Sequence, residues 1–430
     1  MPEFDLLIRG AVNHPAIGVA QGRIVALVEG SARAEIDATG LVALPGAIDA
    51  HVHFNEPGRE SWEGISTGSR ACAAGGTTSF FEMPLNAAPP TIDGESFDRK
   101  LAAMKAQSHC DFGLWGGIVP WNLGELETLH RRGVIGLKAF LSKCGTSDFS
   151  LVKVSVLREA MHIAAQFGMV VAVHAEFDRP ELRVGSTVRD YCRSRPVTAE
   201  LNAIEAAIEA SAATRCSLHI VHVSCGQGVE LVTRAREAGV DVTCETCPHF
   251  LHLTEEDMER LGAVAKCAPP LRSAADQADL YARALAGEVQ TIGTDHSPAL
   301  PEMKTDPNFF NVWGGIASCQ HLLTLLLDLG WPVDAIVRAT GTRVAERFRV
   351  APQKGHLAPG ADADLVLVDL EGVTPVRTET LHYRHKVSPF MGRDLRGRIV
   401  RTLLRGETIA LDGVPCGPPR GMLLTPPGLS

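Results

Sequence analysis

The sequence lacks the features of membrane, secreted and nucleic-acid-binding proteins. No run of residues approaches the roughly 20 consecutive apolar positions that a membrane-spanning helix requires. The first ten residues carry acidic side chains before any apolar run, so they do not resemble a secretory signal. The 430 residues carry a net charge of -9, which argues against nucleic acid or an anionic membrane as a partner. We therefore expect a cytoplasmic protein that acts on a small molecule.

The cysteines do not form the pattern of a disulfide framework. There are eleven of them, an odd number, and their spacing predicts reduced thiols rather than pairs. Cys244 and Cys247 form one C-x-x-C, which is half of a structural zinc site, a redox pair or two buried thiols. No second C-x-x-C completes a zinc site, which favours buried thiols. No G-x-G-x-x-G or Walker pattern follows a strand, so we expect no nucleotide cofactor.

Between Leu44 and Asp295, short apolar runs alternate with helix-length segments. This alternation is typical of repeated βα units. Eight such units close into a barrel, and catalytic residues then collect where the strands end. The eight predicted strands are Ala47–His53, Thr77–Met83, Gly113–Val119, Ile135–Phe140, Met169–His174, Ser217–Val223, Val240–Glu245 and Val289–Asp295.

The two ends of the chain carry short strand patterns separated by glycine-rich turns. Each end is too short to bury a core alone, so we predict that both pack together as one discontinuous β-sandwich. The predicted fold is α/β, with a (β/α)8 barrel at residues 47–350. Residues 1–46 form the first part of the sandwich, and residues 351–430 form the second part and a tail. The predicted terminal strands are Phe4–Arg9, Arg23–Val28, Asp364–Asp369 and Arg398–Arg405.

The strongest chemical signal is Asp-Ala-His-Val-His at positions 49–53, where the first barrel strand ends. Side chains two apart in a strand point to the same side, so His51 and His53 present two imidazoles to one point, as a divalent metal requires. Other metal-binding residue types recur where later strands end, namely His174, His222 and Asp295. One such histidine alone is more often a hydrogen-bonded core residue. The repetition at four strand ends favours a metal site.

His219 and His222 have opposite strand parity, so a regular strand cannot direct both of them into the barrel. His222 is nearer the C-terminal end of its strand and is the predicted metal-binding residue. We interpret His219 as a packing residue or as a group that supports the site.

Lys138 lies inside the apolar run Gly136–Phe140, where a charged amine without a partner is costly. One interpretation is a side chain that reaches solvent or forms a salt bridge. The other is that burial lowers the pKa of the amine, so that the neutral form reacts with carbon dioxide. The resulting carbamate would be a bidentate anion able to bridge two metal ions. The residues alone leave both interpretations open.

These features make the chain similar to the cyclic amidohydrolases, the family of dihydroorotase, hydantoinase, dihydropyrimidinase and allantoinase. The resemblance covers nearly the whole chain, and its most specific motifs resemble the allantoinase branch. Those motifs are Glu82–Asn86, Thr243–His249 and Trp313–Ile316. This resemblance implies hydrolysis of allantoin to allantoate by a homotetramer.

The resemblance also implies a centre of two divalent ions. One ion would be held by His51 and His53, the other by His174 and His222. Asp295 would sit on the first ion and act as the catalytic residue, accepting a proton from water and passing it to the departing ring nitrogen. Zinc is the expected metal, with cobalt, manganese and iron as alternatives that suit the same donors. Lys138, modified by carbon dioxide to N6-carboxylysine, would bridge the two ions.

Departures from related sequences bear on the substrate. Dihydroorotases hold a substrate carboxylate through an arginine and an asparagine, where this chain has Asn55 and Leu85, so dihydroorotate is disfavoured. Hydantoinases usually carry a tyrosine five residues after the lysine, where this chain has Lys143. A hydantoinase or dihydropyrimidinase therefore stays open as an alternative. A non-catalytic scaffold is a further alternative, and the complete metal-binding set argues against it.

Two loops are predicted to line the substrate pocket and to hydrogen-bond the ring through backbone groups. The alternative is that both loops are merely structural. The predicted substrate contacts are Asn86, Cys267, Ala268 and Gly314.

Overall fold

The computed structural model describes residues 2–427. Its N-terminal part is a four-stranded sheet with the order β3-β2-β1-β4, followed by a fifth strand that joins a different sheet. In β1 the buried side chains of Leu6 and Ile8 face the sandwich core, because residues two apart in a strand share a face. The strands are β1 (Phe4–Arg9), β2 (Ala16–Ala20), β3 (Arg23–Ala26), β4 (Ala32–Asp37) and β5 (Val42–Pro45).

Eight parallel strands then pair in chain order to form the barrel. A bridge between Val52 and His296 joins the first barrel strand to the loop after the last one. These strands are buried on both faces, as expected for parallel strands that are covered by helices. They are β6 (Ala47–Val52), β7 (Thr77–Glu82), β8 (Asp111–Gly117), β9 (Gly136–Phe140), β10 (Val170–His174), β11 (Ser217–Ile220), β12 (Val242–Thr246) and β13 (Thr291–Ile292).

The helices between and after these strands cover the outside of the barrel. In the fourth helix the buried residues Leu157, Ala160, Met161 and Ala164 are spaced by three or four positions, so they share one face. A π-helical turn joins the last two helices. The helices are α1 (Ile65–Ala74), α2 (Gly94–Gln107), α3 (Leu126–Arg132), α4 (Val154–Gln166), α5 (Val188–Ser194), α6 (Val197–Thr214), α7 (Gly226–Glu237), α8 (Pro248–His252), α9 (Glu255–Leu261), α10 (Ala274–Leu285), α11 (Leu322–Asp328), α12 (Val333–Val337) and α13 (Arg343–Arg347).

The C-terminal part completes the sandwich. Its strands pair with β5 in a five-stranded sheet, and apolar residues from both sheets form one core. The prediction of a barrel plus a sandwich built from both chain ends is therefore confirmed. Residues 421–424 run beside β8, and residues 428–430, the end of the predicted tail, lie outside the described residues. The strands are β14 (Leu365–Pro375), β15 (Asp394–Leu404), β16 (Glu407–Leu411) and β17 (Val414–Pro415).

A buried cluster of charges joins the barrel to the sandwich. The ammonium group of Lys354 lies 2.5–2.9 Å from the carboxylates of Asp111, Asp362 and Asp364. Asp111 begins β8 of the barrel, whereas the other two carboxylates precede β14 of the sandwich. Arg405 forms a further ion pair with Asp111. These carboxylates are therefore neutralised by cationic side chains of the protein itself.

Two barrel strands are shorter than the sequence predicts. β11 ends at Ile220 rather than Val223, and β13 ends at Ile292 rather than Asp295. The reason is local backbone geometry, since His222 and Asp295 have φ angles of 40° and 47°. Such left-handed conformations cannot continue a strand. In the part of the chain that the structure describes, no helix has the length and apolarity needed to cross a membrane.

Candidate metal centre

Inward-facing residues of neighbouring strands form a layer inside the barrel. Lys138 pairs in register with Ala172, which pairs with His219, which pairs with Thr243. Residues two further along a strand also face inward, so His174 lies one step above Ala172. The parallel register therefore places the predicted metal-binding residues towards the C-terminal mouth of the barrel. Enzymes with a (β/α)8 barrel have their active sites at this end.

Three donor atoms converge at the end of β6. The Nε2 atoms of His51 and His53 lie 3.2 Å and 3.3 Å from Oδ1 of Asp295. Burial opposes ionisation of Asp295, but the imidazoles of His51 and His53 outweigh it and hold the pKa of Asp295 well below its usual value. The carboxylate is thus an anion that faces two imidazole nitrogens.

A second pair of imidazoles lies beside the first. His174 Nδ1 is 2.9 Å from His222 Nε2, and the ring of His222 is centred 5.4 Å from the ring of His51. Burial lowers the pKa of both His174 and His222, which favours the neutral imidazole. Neutral imidazole is the form that binds a metal ion.

Lys138 lies beneath these four imidazoles and is completely buried. Its Nζ has no hydrogen-bond partner among residues 2–427 and lies 5.1 Å from the centre of the Phe140 ring. Burial lowers the pKa of this amine to about 8, although the carboxylates of Asp295 and Glu245 oppose the shift. An amine of this kind is neutral and nucleophilic far more often than an exposed lysine.

These residues fit a pair of divalent ions. Two ligand atoms about 2.1 Å from a tetrahedral zinc ion lie roughly 3.4 Å apart. Oδ1 of Asp295 lies 3.2 Å and 3.3 Å from the donor nitrogens of His51 and His53, and the donor nitrogens of His174 and His222 are 2.9 Å apart. Neither the amine of Lys138 nor Nδ1 of His222 has a hydrogen-bond partner among the described residues. The donor set therefore suits metal ions that bind nitrogen and carboxylate oxygen.

The backbone is strained around this cluster. Asn55, Asn86, His222 and Asp295 all have φ angles between 40° and 65°. Non-glycine residues rarely adopt this conformation, and it persists only where the surrounding structure enforces it. Three of these residues, Asn86, His222 and Asp295, line one cavity, which indicates that their side chains are held in place for a function.

Comparison with known proteins agrees with this geometry. The model of the amidohydrolase family matches residues 42–409. An allantoinase of Rubrobacter xylanophilus is 52% identical over 99% of this chain and 98% of its own. An allantoinase of Deinococcus radiodurans is 44% identical over 99% of this chain and 100% of its own.

The chain belongs to the amidohydrolase family.

A solved structure agrees with this assignment. The L-hydantoinase (dihydropyrimidinase) of Arthrobacter aurescens superposes with a TM-score of 0.93 at 31% sequence identity. The match covers 98% of this chain and 100% of the other.

A carboxylate that the sequence analysis left without a role supports this amidohydrolase site. Glu245 in β12 accepts a hydrogen bond from His51 Nδ1 at 2.7 Å, and its other oxygen lies 3.9 Å from His219 Nε2. Although burial opposes ionisation of Glu245, its contacts with His51 and His219 outweigh burial and lower the pKa of Glu245 to about 2. Such a carboxylate fixes the tautomer and the orientation of a metal-binding imidazole. The available signal was an acidic residue at the end of a predicted strand, where the other metal-binding residue types also lie.

His219 has the supporting position that the sequence predicts. Its Nδ1 lies 2.8 Å from Thr243 Oγ1, and it lies below the metal-binding level. The parity argument assumed a strand through residue 223. Because the strand ends at Ile220, the loop conformation of His222, rather than strand alternation, sets its direction.

The cavity above the metal cluster has a volume of about 60 Å³. Three of the four predicted substrate contacts line it. Asn86 also contacts His53 Nδ1 through its side-chain amide at 3.3 Å. Ala268 and Gly314 border the same cavity. Cys267 is not among the described residues that line it, because its carbonyl accepts a hydrogen bond from Tyr191 behind the loop. Whether these residues contact substrate stays a prediction.

A second, larger cavity of about 510 Å³ adjoins the first. We call it the vestibule. Its boundary with the metal cavity consists of Lys143, Cys144, Ala268, Trp313 and Gly314, which line both spaces.

The loop that covers this boundary is held by the buried Lys266 and the half-buried Lys304. Lys266 donates to the carbonyls of Phe309 and Val312, and Lys304 donates to those of Trp313 and Gly315. The loop is therefore anchored on both sides of the segment that borders the metal cavity.

Proposed function

We propose that this chain is an allantoinase, which hydrolyses a cyclic amide bond of allantoin to give allantoate. One observation carries the proposal. Four imidazoles, one carboxylate and one buried amine meet at the barrel mouth of a chain that is 52% identical to an allantoinase over nearly its whole length. The amidohydrolase family model covers the same part of the chain.

We further propose that the site binds two divalent ions, with zinc as the preferred metal. His51, His53 and Asp295 would hold the first ion, because Oδ1 of Asp295 lies 3.2–3.3 Å from Nε2 of each histidine. His174 and His222 would hold the second, through the nitrogens that face each other at 2.9 Å. Bound there, a metal pair supplies a hydroxide nucleophile near neutral pH and polarises the carbonyl that is attacked.

Lys138 is proposed to become N6-carboxylysine by reaction with carbon dioxide. Its neutral nitrogen forms a bond to the carbon of carbon dioxide and loses one proton, which leaves a carbamate anion. The buried, unpartnered amine with a pKa of about 8 supports this step. A carbamate would replace a desolvated cation with a bidentate anion among the imidazoles.

Asp295 is proposed to carry the proton during hydrolysis. Its carboxylate is ionised by the surrounding imidazoles, so it can accept the proton of the attacking water. The same group then donates that proton to the ring nitrogen while the carbon–nitrogen bond breaks. Its side chain retains 14% exposure towards the cavity, which gives it access to both water and substrate.

The enzyme is also proposed to be a cytoplasmic homotetramer. All eleven cysteines are unpaired, which is in keeping with a reducing compartment. The tetramer rests on the family resemblance, and size-exclusion chromatography with light scattering tests it.

The alternative substrate class is the hydantoins and dihydropyrimidines, favoured by the structural similarity to the L-hydantoinase (dihydropyrimidinase). The test is turnover of allantoin, hydantoin, dihydrouracil and dihydroorotate by one preparation whose metal content is determined in parallel. We expect allantoin to have the highest kcat/KM. Faster turnover of hydantoin or dihydrouracil would reassign the substrate.

The same preparation tests the scaffold alternative. After purification with metal and bicarbonate supplied, we expect close to two ions per chain. A content far below one ion, together with no turnover of any of the four compounds, would favour the scaffold.

A further inference from the structure

The vestibule is rich in cationic side chains. Five lysine and arginine residues line it, against a single carboxylate from Asp178. The cationic residues are Lys143, Arg179, Arg183, Arg195 and Lys266. This composition contrasts with the net charge of -9 of the whole chain. Lysine and arginine side chains therefore outnumber carboxylates in the lining of the vestibule, next to the metal cavity.

Three of these cations already have partners. Arg195 forms an ion pair with the buried Glu176, and Arg179 pairs with Glu181 at 2.5 Å. Lys266 donates to backbone carbonyls of the loop that covers the site. Their charges and hydrogen bonds are largely used within the protein.

The other two cations have no such partner. Among residues 2–427, no carboxylate forms an ion pair with Lys143 or Arg183, although both line the vestibule. Lys143 also lines the metal cavity, so it stands at the passage between the two spaces. The guanidinium of Arg183 lies 4.9 Å from the centre of the Phe310 ring, which holds it on the vestibule wall.

Among the described residues that line the metal cavity, Lys143 is the one lysine or arginine, and it lies where this cavity meets the vestibule. Leu85 borders this cavity with an apolar side chain. The side-chain amide of Asn55 donates to the carbonyl of Pro298 at 3.3 Å, so it is turned to the loop after Asp295. A negative charge held at Lys143 would therefore lie at the boundary with the vestibule, which suits a charge on an arm that extends from the bound ring.

Resting on the proposed function, we propose that the vestibule is a subsite for an anionic exocyclic substituent. The enzyme accordingly hydrolyses five-membered cyclic ureides that carry a carboxylate on a one-carbon arm, in addition to allantoin. Hydrolysis of the ring follows the same bond changes as before, because water is the only co-reactant. The new specificity lies in the contact between the arm and the two free cations.

The test compares two hydantoins of the same enantiomer, with a carboxymethyl or a carbamoylmethyl group at carbon 5. They have nearly the same shape and differ by one negative charge. At low ionic strength we expect the carboxymethyl compound to have a kcat/KM about fivefold higher, as two partly exposed charge pairs allow. The preference should decline in 1 M salt, where the Debye length falls to about 3 Å.

Variants locate the effect. The double variant Lys143→Met, Arg183→Met should abolish the preference for the carboxymethyl compound. Arg158→Met, an exposed arginine on α4 outside the vestibule, is the matched control and should retain it. Circular dichroism and metal content establish that each variant is folded and loaded.

Each outcome decides the proposal. Equal kcat/KM values for the two hydantoins, or a preference that survives in the double variant, would overturn the anionic subsite. If neither compound is hydrolysed, their inhibition constants against allantoin replace kcat/KM in the same comparison, and absence of inhibition by both overturns it. If the wild-type enzyme hydrolysed hydantoin but not allantoin, the proposed function would be contradicted. The comparison between the two substituted hydantoins would still test the anionic subsite.

Discussion

Replacing Glu245 should weaken metal binding, because His51 loses the hydrogen bond that orients its imidazole. Glu245 accepts a 2.7 Å hydrogen bond from His51 Nδ1 in a fully buried setting. Glu245→Gln keeps the shape but changes a charge-assisted bond to a neutral one, a loss of about 1–1.5 kcal/mol. Since about 1.4 kcal/mol is tenfold, metal affinity should fall about fivefold to tenfold.

Glu245→Ala removes the acceptor altogether and leaves the His51 N–H buried without a partner. Metal affinity should then fall further, towards the roughly 100-fold upper end for such supporting groups. The assay is competition for metal with a chelator of known affinity, followed by metal analysis. Glu205→Gln, at an exposed position on α6, is the control. Equal affinity in Glu245→Ala and the wild type would refute the positioning role.

Three further perturbations have defined outcomes. Asp295→Asn should lower kcat by about 100-fold or more while circular dichroism stays native, because it removes the proton carrier; near-native kcat would contradict this role. In the apo protein at fixed dissolved carbon dioxide, the initial rate at which the ¹³C NMR signal of carbamate on Lys138 grows should rise about fivefold between pH 7 and 8, because the neutral fraction of an amine with a pKa of about 8 rises by that factor. A flat NMR signal would exclude this chemistry. Lys354→Met should lower the free energy of unfolding by about 3–5 kcal/mol, since it leaves buried carboxylates unpaired, whereas exposed Lys105→Met should change it little.

The barrel and the sandwich could be predicted because their signals are local. Eight apolar runs with helix-length spacers specify βα units wherever they occur, and two short β-rich ends leave few ways to bury a core. The positions at which the strands end were harder to predict from the sequence. The φ angles of His222 and Asp295 are set by contacts with distant segments, such as the bond from Thr294 N to the carboxylate of Asp49 at 3.0 Å. No neighbour in sequence reveals such a contact.

The candidate site could also be predicted only in part from the sequence. Residue type and position at a strand end single out the histidines and Asp295, because these are the donors that a divalent metal selects. The bond between His51 and Glu245 joins residues 194 positions apart, so its partner could be recognised only once β6 and β12 were placed in one barrel. The same holds for the vestibule, whose two free cations Lys143 and Arg183 lie in separate loops.

Glu245 also acts on Lys138, and the two effects have opposite signs. Its negative charge stabilises the ammonium form of Lys138 and so works against the downward shift that burial produces in that pKa. Glu245→Gln should therefore increase the neutral fraction of the amine and accelerate carbamate formation in the apo protein, while the metal affinity of the His51 side declines. If Glu245 had only a packing role, the substitution would change neither the rate of carbamate formation nor the metal affinity. Faster carbamate formation together with weaker metal binding is expected only if one buried carboxylate faces both the imidazole and the amine.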